Sequence, residues 1–218
     1  MGKGKPYRGI SIEGLLARWY ARSTGKLHPQ FRAEAEKLAK QLRPESLVLE
    51  IAPGPGYLAI ELARLGPFRI TGLDISRSFV RMAAENAARA GVSVDFRHGN
   101  AAAMPFAAEW FDLIICRAAF KNFSDPAGAI REMHRVLRPS GRAMIIDLNR
   151  NATNQAIADE VAKMALGPVD AFLTRLGLRW LRKRAYTRED FMRMAAESPF
   201  GRCDIAEGGI GFEVTMMK

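Results

Sequence analysis

The sequence predicts an α/β protein: a doubly wound, mostly parallel sheet with helices on both faces. Three observations predict it. Through the middle of the 218-residue chain, short apolar runs alternate with helical stretches, the mark of β-α-β units. The runs are nearly continuous in apolar residues, as strands covered on both sides are. The right-handed crossover rule then places the connecting helices on both faces of one sheet.

The elements follow in order. Residues 46–52, SLVLEIA, form a first strand that ends in a Pro/Gly loop, and a helix starts at about Leu58. Residues 69–75, RITGLDI, are a second strand, and the Ala-rich stretch 77–90 is a helix closed by Gly91 as its C-cap. Residues 92–97, VSVDFR, alternate apolar and polar, and 111–116, FDLIIC, form a fourth strand. Ser124 or Asp125 caps a helix that begins at Pro126 and runs to Leu137. Pro139-Ser140-Gly141 turns the chain into a fifth strand, 143–148. Two helices, 151–166 and 168–184, are split by Gly167-Pro168, and Thr187 caps another that runs to about Glu197. Residues 202–207 and 211–217 flank Gly208-Gly209 as a terminal hairpin.

Composition bounds the function. At 48% hydrophobic the chain has enough apolar material for a real core, which excludes a disordered or disulfide-stapled protein. Two cysteines, Cys116 and Cys203, argue for a reducing, cytoplasmic setting. No stretch is long and apolar enough for a spanning helix, and MGKGKPYRG has no apolar segment behind it, so no signal peptide is expected. The net charge of +10 is concentrated in two places. Residues 1–45 carry +6, residues 171–188 carry six Lys/Arg and no acid, and the remainder sums to −2. Such segments favour an anionic acceptor, a membrane surface or nucleic acid, or are simply solvated helix faces.

The chemistry concentrates at E50-I-A-P-G54-P-G56. A glycine loop at a strand's carboxyl end lets the backbone approach a ligand closely. Asp74 lies 18 residues past Gly56, at the end of the second strand, where a carboxylate can accept both hydroxyls of a ribose. A nicotinamide dinucleotide and S-adenosylmethionine both use such a site. Glu50 decides between them. A carboxylate beside the loop repels a pyrophosphate but suits the cationic methionine end of S-adenosylmethionine.

These residues resemble the class I S-adenosylmethionine-dependent methyltransferases over about residues 46–148, more weakly over 186–218. VLEIAPGPG is similar to the family's first motif, GLDIS to its ribose-binding strand end, and HGNAAAMPF to the segment that holds the adenine. FDLIICRAAFKNFSDP and REMHRVLRPSGRAMIIDL resemble the fourth strand and the helix, turn and strand after it. FKNFSDP and GGIGFEV lean towards the ubiquinone/menaquinone biosynthesis branch. The resemblance implies a Rossmann-like, seven-stranded sheet with its last strand antiparallel. It also implies an N-terminal helical lid at 1–45 and a methyltransferase domain at 46–218, with a helical insertion at 150–186 covering the active site. Carried over by position, Glu50, Ala52, Gly54 and Gly56 contact the methionine moiety. Asp74 and Ile75 hold the ribose and flank the adenine, Asn100 and Ala101 meet the adenine edge, and Arg117 lies beside the methyl donor. Asn100 stands where the family commonly has Asp, so it binds without the assistance of a charge. Tyr20 resembles a lid tyrosine, with a packed surface helix as the other reading.

The expected reaction is methyl transfer to a small organic acceptor, aromatic or quinol-like among the options, with O, N, S or C unresolved. After the fourth strand, Arg117, Lys121 and Asn122 are the candidates for orienting it, with a capped loop as the alternative. No base is assigned among His28, His98 and His134, and no Cys/His spacing points to a metal. The competing reading is an RNA or DNA methyltransferase, with Phe120 and Phe123 stacking on a flipped base. The 168–184 helix carries Phe172, Leu173, Leu176, Trp180 and Leu181 as an apolar stripe, with Arg175, Arg179, Arg182 and Lys183 on other faces. It either lies on an anionic membrane or, the preferred reading, packs that stripe on the sheet as a lid.

Overall fold

The computed structural model describes residues 13–25, 28–164 and 166–218; the basic N-terminal MGKGKPYRG lies outside them. Seven strands form one sheet in the order β3-β2-β1-β4-β5-β7-β6. They are β1 (Leu47–Ile51), β2 (Arg69–Asp74), β3 (Asp95–His98), β4 (Phe111–Arg117), β5 (Leu137–Leu148), β6 (Asp204–Gly208) and β7 (Gly211–Met217). All pairings are parallel except those of β7, which runs antiparallel to β5 and β6. The Rossmann-like, seven-stranded sheet with an antiparallel last strand is thus as expected.

The helices are α1 (Gly14–Gly25), α2 (His28–Ala39), α3 (Tyr57–Ala63), α4 (Arg77–Ala90), α5 (Pro126–Val136), α6 (Asn154–Lys163), α7 (Pro168–Arg182) and α8 (Arg188–Ala196). Their ends obey local chemistry. Ser76 Oγ accepts from Phe79 N at the start of α4, and Gly91 closes it in the left-handed conformation. Asp125 rather than Ser124 caps α5, accepting from Gly128 N ahead of Pro126. Thr187 and Asp190 close a reciprocal capping box on α8.

Strand alternation sorts the core into two layers. Leu47, Leu49 and Ile51 of β1 pack with α5 and α8, through Ile130, Met133 and Phe191. Val48 faces the other way, onto Leu58 and Leu62 of α3 and onto Phe31, Ala35 and Leu38 of α2. Among the described residues before β1, α2 is a layer of the sheet domain. α1 packs beside α4 with Ala17 and Ala21 buried, its Ala21 O accepting from Tyr57 Oη, and is pinned where Glu13 accepts from Arg77 N and Ser78 N at the start of α4.

Two expectations change. The Pro139-Ser140-Gly141 turn is absorbed into β5 as an irregularity. Phe111 faces Leu137 while Leu113 already faces Arg142, with Ser140 at φ 65. The apolar stripe of α7 is also not packed on the sheet: Phe172, Leu173, Leu176 and Trp180 are all more than half exposed. Among the described residues α7 packs on α6, so the stripe seals no active site here.

Candidate active site

The chain leaves β1 to build β2 and β3 on one side, then returns to build β4 on the other. The strand order therefore reverses between β1 and β4, and the crevice at their carboxyl ends is the position where such sheets bind ligands. Two alanines at the rims of that crevice, Ala52 after β1 and Ala118 after β4, have φ of 54 and 56. Strained non-glycine backbone of this kind gathers at functional sites.

The glycine loop runs from Ala52 to Gly56, which caps α3 with φ 82. Gly54 also has positive φ, and a Cβ there would sit 3.9 Å from Tyr20 Cε1. Tyr20 is half-buried, with its ring edge-on to Phe79 at 5.6 Å, so α1 brings it over the loop. Gly56 serves another purpose. A Cβ there would meet Phe96 Cζ at 2.7 Å and Ala83 Cβ at 3.0 Å, so its lack of a side chain lets the helix layer close on the sheet. Gly56→Ala is accordingly expected to cost about 2–3 kcal/mol through left-handed strain and overlap, read as a melting point lowered by roughly 5–10 °C.

Glu50 is the unusual residue. It lies on the β1 face that turns towards α2 and α3, among Val48, Leu58 and Leu113, and is almost fully buried. Its Oε2 is buried and has no hydrogen-bond partner among the described residues. Burial pushes its pKa up to about 8; Glu34 and Asp74 add to the rise, while Arg117 and the backbone N–H of Ala59 oppose it. Asp74 is also buried, and both its oxygens accept: Oδ2 from Gly54 N at 3.0 Å, Oδ1 from Ser76 N at 2.8 Å. It thereby ties the glycine loop to the end of β2. Burial raises its pKa to about 6 against those two bonds.

Arg117 ends β4, and its Nε donates to Glu34 Oε2 at 2.7 Å, with the guanidinium 4.6 Å over the Phe31 ring. The other oxygen of Glu34 is buried without a partner, like that of Glu50. Glu34 was not read from the sequence. It belongs to α2, whose buried face of Phe31, Ala35 and Leu38 turns it inward, and the i, i+4, i+7 apolar spacing was the available signal.

The remaining candidates separate. Asn100 is half-buried and its Oδ1 accepts from Ala102 N at 3.0 Å, which shapes the turn after β3. Ala101 packs against the core, and Ile75 is half-buried beside Asp74. Asn122 is half-buried in the short 3-10 turn Phe120–Asn122. Lys121, expected to orient an acceptor, is buried instead. Its Nζ donates to Asp147 Oδ1 at 2.7 Å and to Ala118 O, and its backbone N donates to Asp147 Oδ2. Asp147 shares its strand face with Ala143 and Ile145 of the α5/α8 core, the side of the sheet away from Glu50. Phe120 and Phe123 are also buried, their centroids 5.3 Å apart, and so offer no open platform for a base.

The donor set fits S-adenosylmethionine. A desolvated carboxylate with an orphaned oxygen beside the loop suits a cationic ammonium and sulfonium. The open backbone at Gly54 admits close approach, and each Asp74 oxygen keeps a second lone pair for a hydroxyl.

Residues 49–145 match the methyltransferase domain family. The chain is 36% identical over 123 residues to an uncharacterized methyltransferase, YcgJ, of Bacillus subtilis, covering 53% of this chain and 47% of that protein. It is 34% identical over 115 residues to a demethylmenaquinone methyltransferase of Chlorobaculum parvum, covering 52% and 46%. The chain thus spans about half the length of the curated relatives it matches. A crystal structure from Methanococcus maripaludis, assigned to the S-adenosyl-L-methionine-dependent methyltransferases, superposes with a TM-score of 0.76 at 23% identity, covering 100% of this chain and 97% of that one. Residues 49–145, somewhat under half of the chain, thus match a methyltransferase domain, and the seven-stranded sheet they help to build shares the fold of the Methanococcus maripaludis structure.

Proposed function

We propose that the chain transfers a methyl group from S-adenosylmethionine to a small organic acceptor. The observation that carries this reading is the buried, unpartnered Glu50 oxygen beside the glycine loop, with Asp74 at the next strand end. S-adenosylmethionine supplies an electrophilic methyl on a sulfonium. In this reading Glu50, with the backbone of Ala52, Gly54 and Gly56, holds the methionine end. Asp74 takes the ribose hydroxyls, Ile75, Asn100 and Ala101 border the adenine, and Tyr20 covers the loop. Arg117, locked to Glu34, forms the wall next to the reacting methyl, and Asn122 remains the polar side chain after β4 that can orient an acceptor. Such alignment is worth ~7–11 kcal/mol in favourable cases, and excluding water adds to it.

Likeness to a demethylmenaquinone methyltransferase makes quinol-like and phenolic acceptors the first to try, with thiols and amines beside them. Formation of S-adenosylhomocysteine together with a methylated acceptor, read by mass spectrometry, tests the activity. Asp74→Asn keeps one acceptor oxygen for the loop amides yet is expected to weaken S-adenosylmethionine binding about tenfold or more in calorimetry. Unchanged affinity would remove Asp74 from the site. A nucleic-acid substrate is not favoured, because Phe120 and Phe123 are core residues.

On its two free cysteines we propose a reducing, cytoplasmic setting for the chain. The second partner we propose, an anionic membrane surface, concerns α7 and is independent of the methyl acceptor.

A further inference from the structure

We propose that α7 docks the chain onto an anionic lipid surface. Nine large hydrophobic side chains are exposed among the described residues, and five of them belong to this one helix: Val169, Phe172, Leu173, Leu176 and Trp180. The other four are scattered: Met192 on α8, Met217 on β7, and Leu65 and Trp110 in loops. At 3.6 residues per turn the five fall within an arc of about 100°. The opposite side of α7 holds Ala171, Thr174, Leu178 and Leu181, all half-buried, and its packing partner is α6. The helix therefore has an inner apolar face with a partner and an outer one without.

Charge identifies the occupant. Residues 171–188 contain six Lys/Arg and no acid. Arg175, Arg179 and Lys183 follow one another along one edge of the outer stripe. At the other edge Arg184 stacks on the Trp180 ring, 4.0 Å from its centroid, which places a cation and an indole side by side, the pairing that suits a headgroup layer. Asp170, the single acid of α7, lies about 100° from the centre of the stripe, at its boundary with the inner face. A cationic amphipathic helix with an open apolar stripe sinks that stripe about 5–10 Å into a bilayer interface, its charges at the anionic headgroups. A second copy of the chain fits poorly, because two such faces would oppose arginine rows with no carboxylate between them. Nucleic acid fits poorly as well: the centre of the face is apolar, and the phosphate backbone calls for cations there.

The test uses the full chain with Trp19→Phe and Trp110→Phe, which leaves Trp180 as the reporter indole. Sedimentation with neutral phosphatidylcholine vesicles is compared with vesicles in which a minority of the lipid is phosphatidylglycerol. Binding to the anionic vesicles is expected to be at least ~10-fold tighter at low salt, to weaken as salt rises, and to shift Trp180 emission to the blue. Phe172→Ser with Leu176→Ser is expected to abolish binding while leaving the melting point unchanged, since both side chains are exposed. Arg175→Glu with Arg179→Glu is expected to erase the preference for anionic lipid. Four results would overturn the proposal: no binding to anionic vesicles; dimerisation in the absence of lipid that the Phe172/Leu176 pair abolishes; single-stranded RNA bound as tightly as vesicles; or a Trp180 blue shift on adding S-adenosylhomocysteine alone, which would make α7 a lid. None of these depends on the chain turning over a substrate, so failure here leaves the proposed methyl transfer untouched.

Discussion

A Lys121→Met variant is expected to melt about 10 °C below the parent chain. Lys121 and Asp147 are both buried, with side chains 5% and 2% exposed, and their charged atoms lie 2.7 Å apart. Removing one member of such a pair leaves the other as an uncompensated charge in a low-dielectric core, at a cost of ~3–5 kcal/mol. In a chain of this size each kcal/mol lowers the melting point by roughly 2–4 °C. Asp147 also accepts from Lys121 N and Leu148 N, and these two amides hold the loss near the lower end of that range. The same bonds dictate the rescue. Lys121→Met with Asp147→Asn is neutral and keeps an acceptor for one of the two amides, so it should recover part of the lost stability. If Lys121 instead met the acceptor, the single variant would raise its KM at a permissive temperature, and Asp147→Asn would not restore it. Thermal melts together with acceptor KM for the three proteins distinguish the two roles.

Lys121 also shows where the sequence stops being legible. Local periodicity located all seven strands, and cap chemistry placed Thr187 and Gly91 correctly. The glycine loop, Glu50 and Asp74 were visible because a strand end, a loop and an acid stand at fixed spacing in one short segment. A cation in the loop after β4 looked like a substrate contact, because its partner, Asp147, is 26 residues away and pairs with it only once β5 lies beside β4. Arg117 and Glu34 are 83 residues apart and raise the same difficulty. For α7 the periodicity gave the stripe but not what it meets. A helix period orders side chains around an axis, whereas tertiary packing decides that the face with Leu178 and Leu181 turns inward and the Phe172 face stays open. α2 reversed the case. Its charged sequence, HPQFRAEAEKLA, read as part of a lid, yet three apolar residues at one face were enough to make it a layer of the core.

Glu50→Gln is expected to make the protein more stable and a worse binder at once. In the folded chain burial raises the Glu50 pKa from 4.5 to about 8. Between those values the folded state holds a proton that the unfolded state has released. Stability therefore falls as pH rises through that window, and the penalty is complete above about pH 8. Glutamine is neutral throughout and escapes it. The variant should thus melt higher than the parent by an amount that grows from pH 5 to pH 8, reaching a few kcal/mol, or roughly 5–10 °C. Asp74, also raised by burial, to about 6, contributes a fall of the same sign between about pH 4 and 6. It is present in both proteins and cancels in the comparison. Binding should move the other way. A cationic ligand favours the ionised Glu50, so the parent must release a proton to bind, and its affinity for S-adenosylmethionine should rise by up to about tenfold between pH 6 and 7. Glutamine offers a neutral acceptor, which forgoes ~1.5–3 kcal/mol of charge-assisted hydrogen bonding, or roughly 10- to 150-fold in affinity, and its binding should change by only about twofold across the same pH range, the share left to Asp74. Calorimetry at pH 7, where Asp74 is largely ionised, in two buffers of different ionisation enthalpy counts the released proton directly: up to one for the parent and close to none for the variant. A variant that loses stability, or that binds with the parent's pH dependence, would show that the buried carboxylate belongs to the packing of α2 and α3 and not to the methionine end of the site.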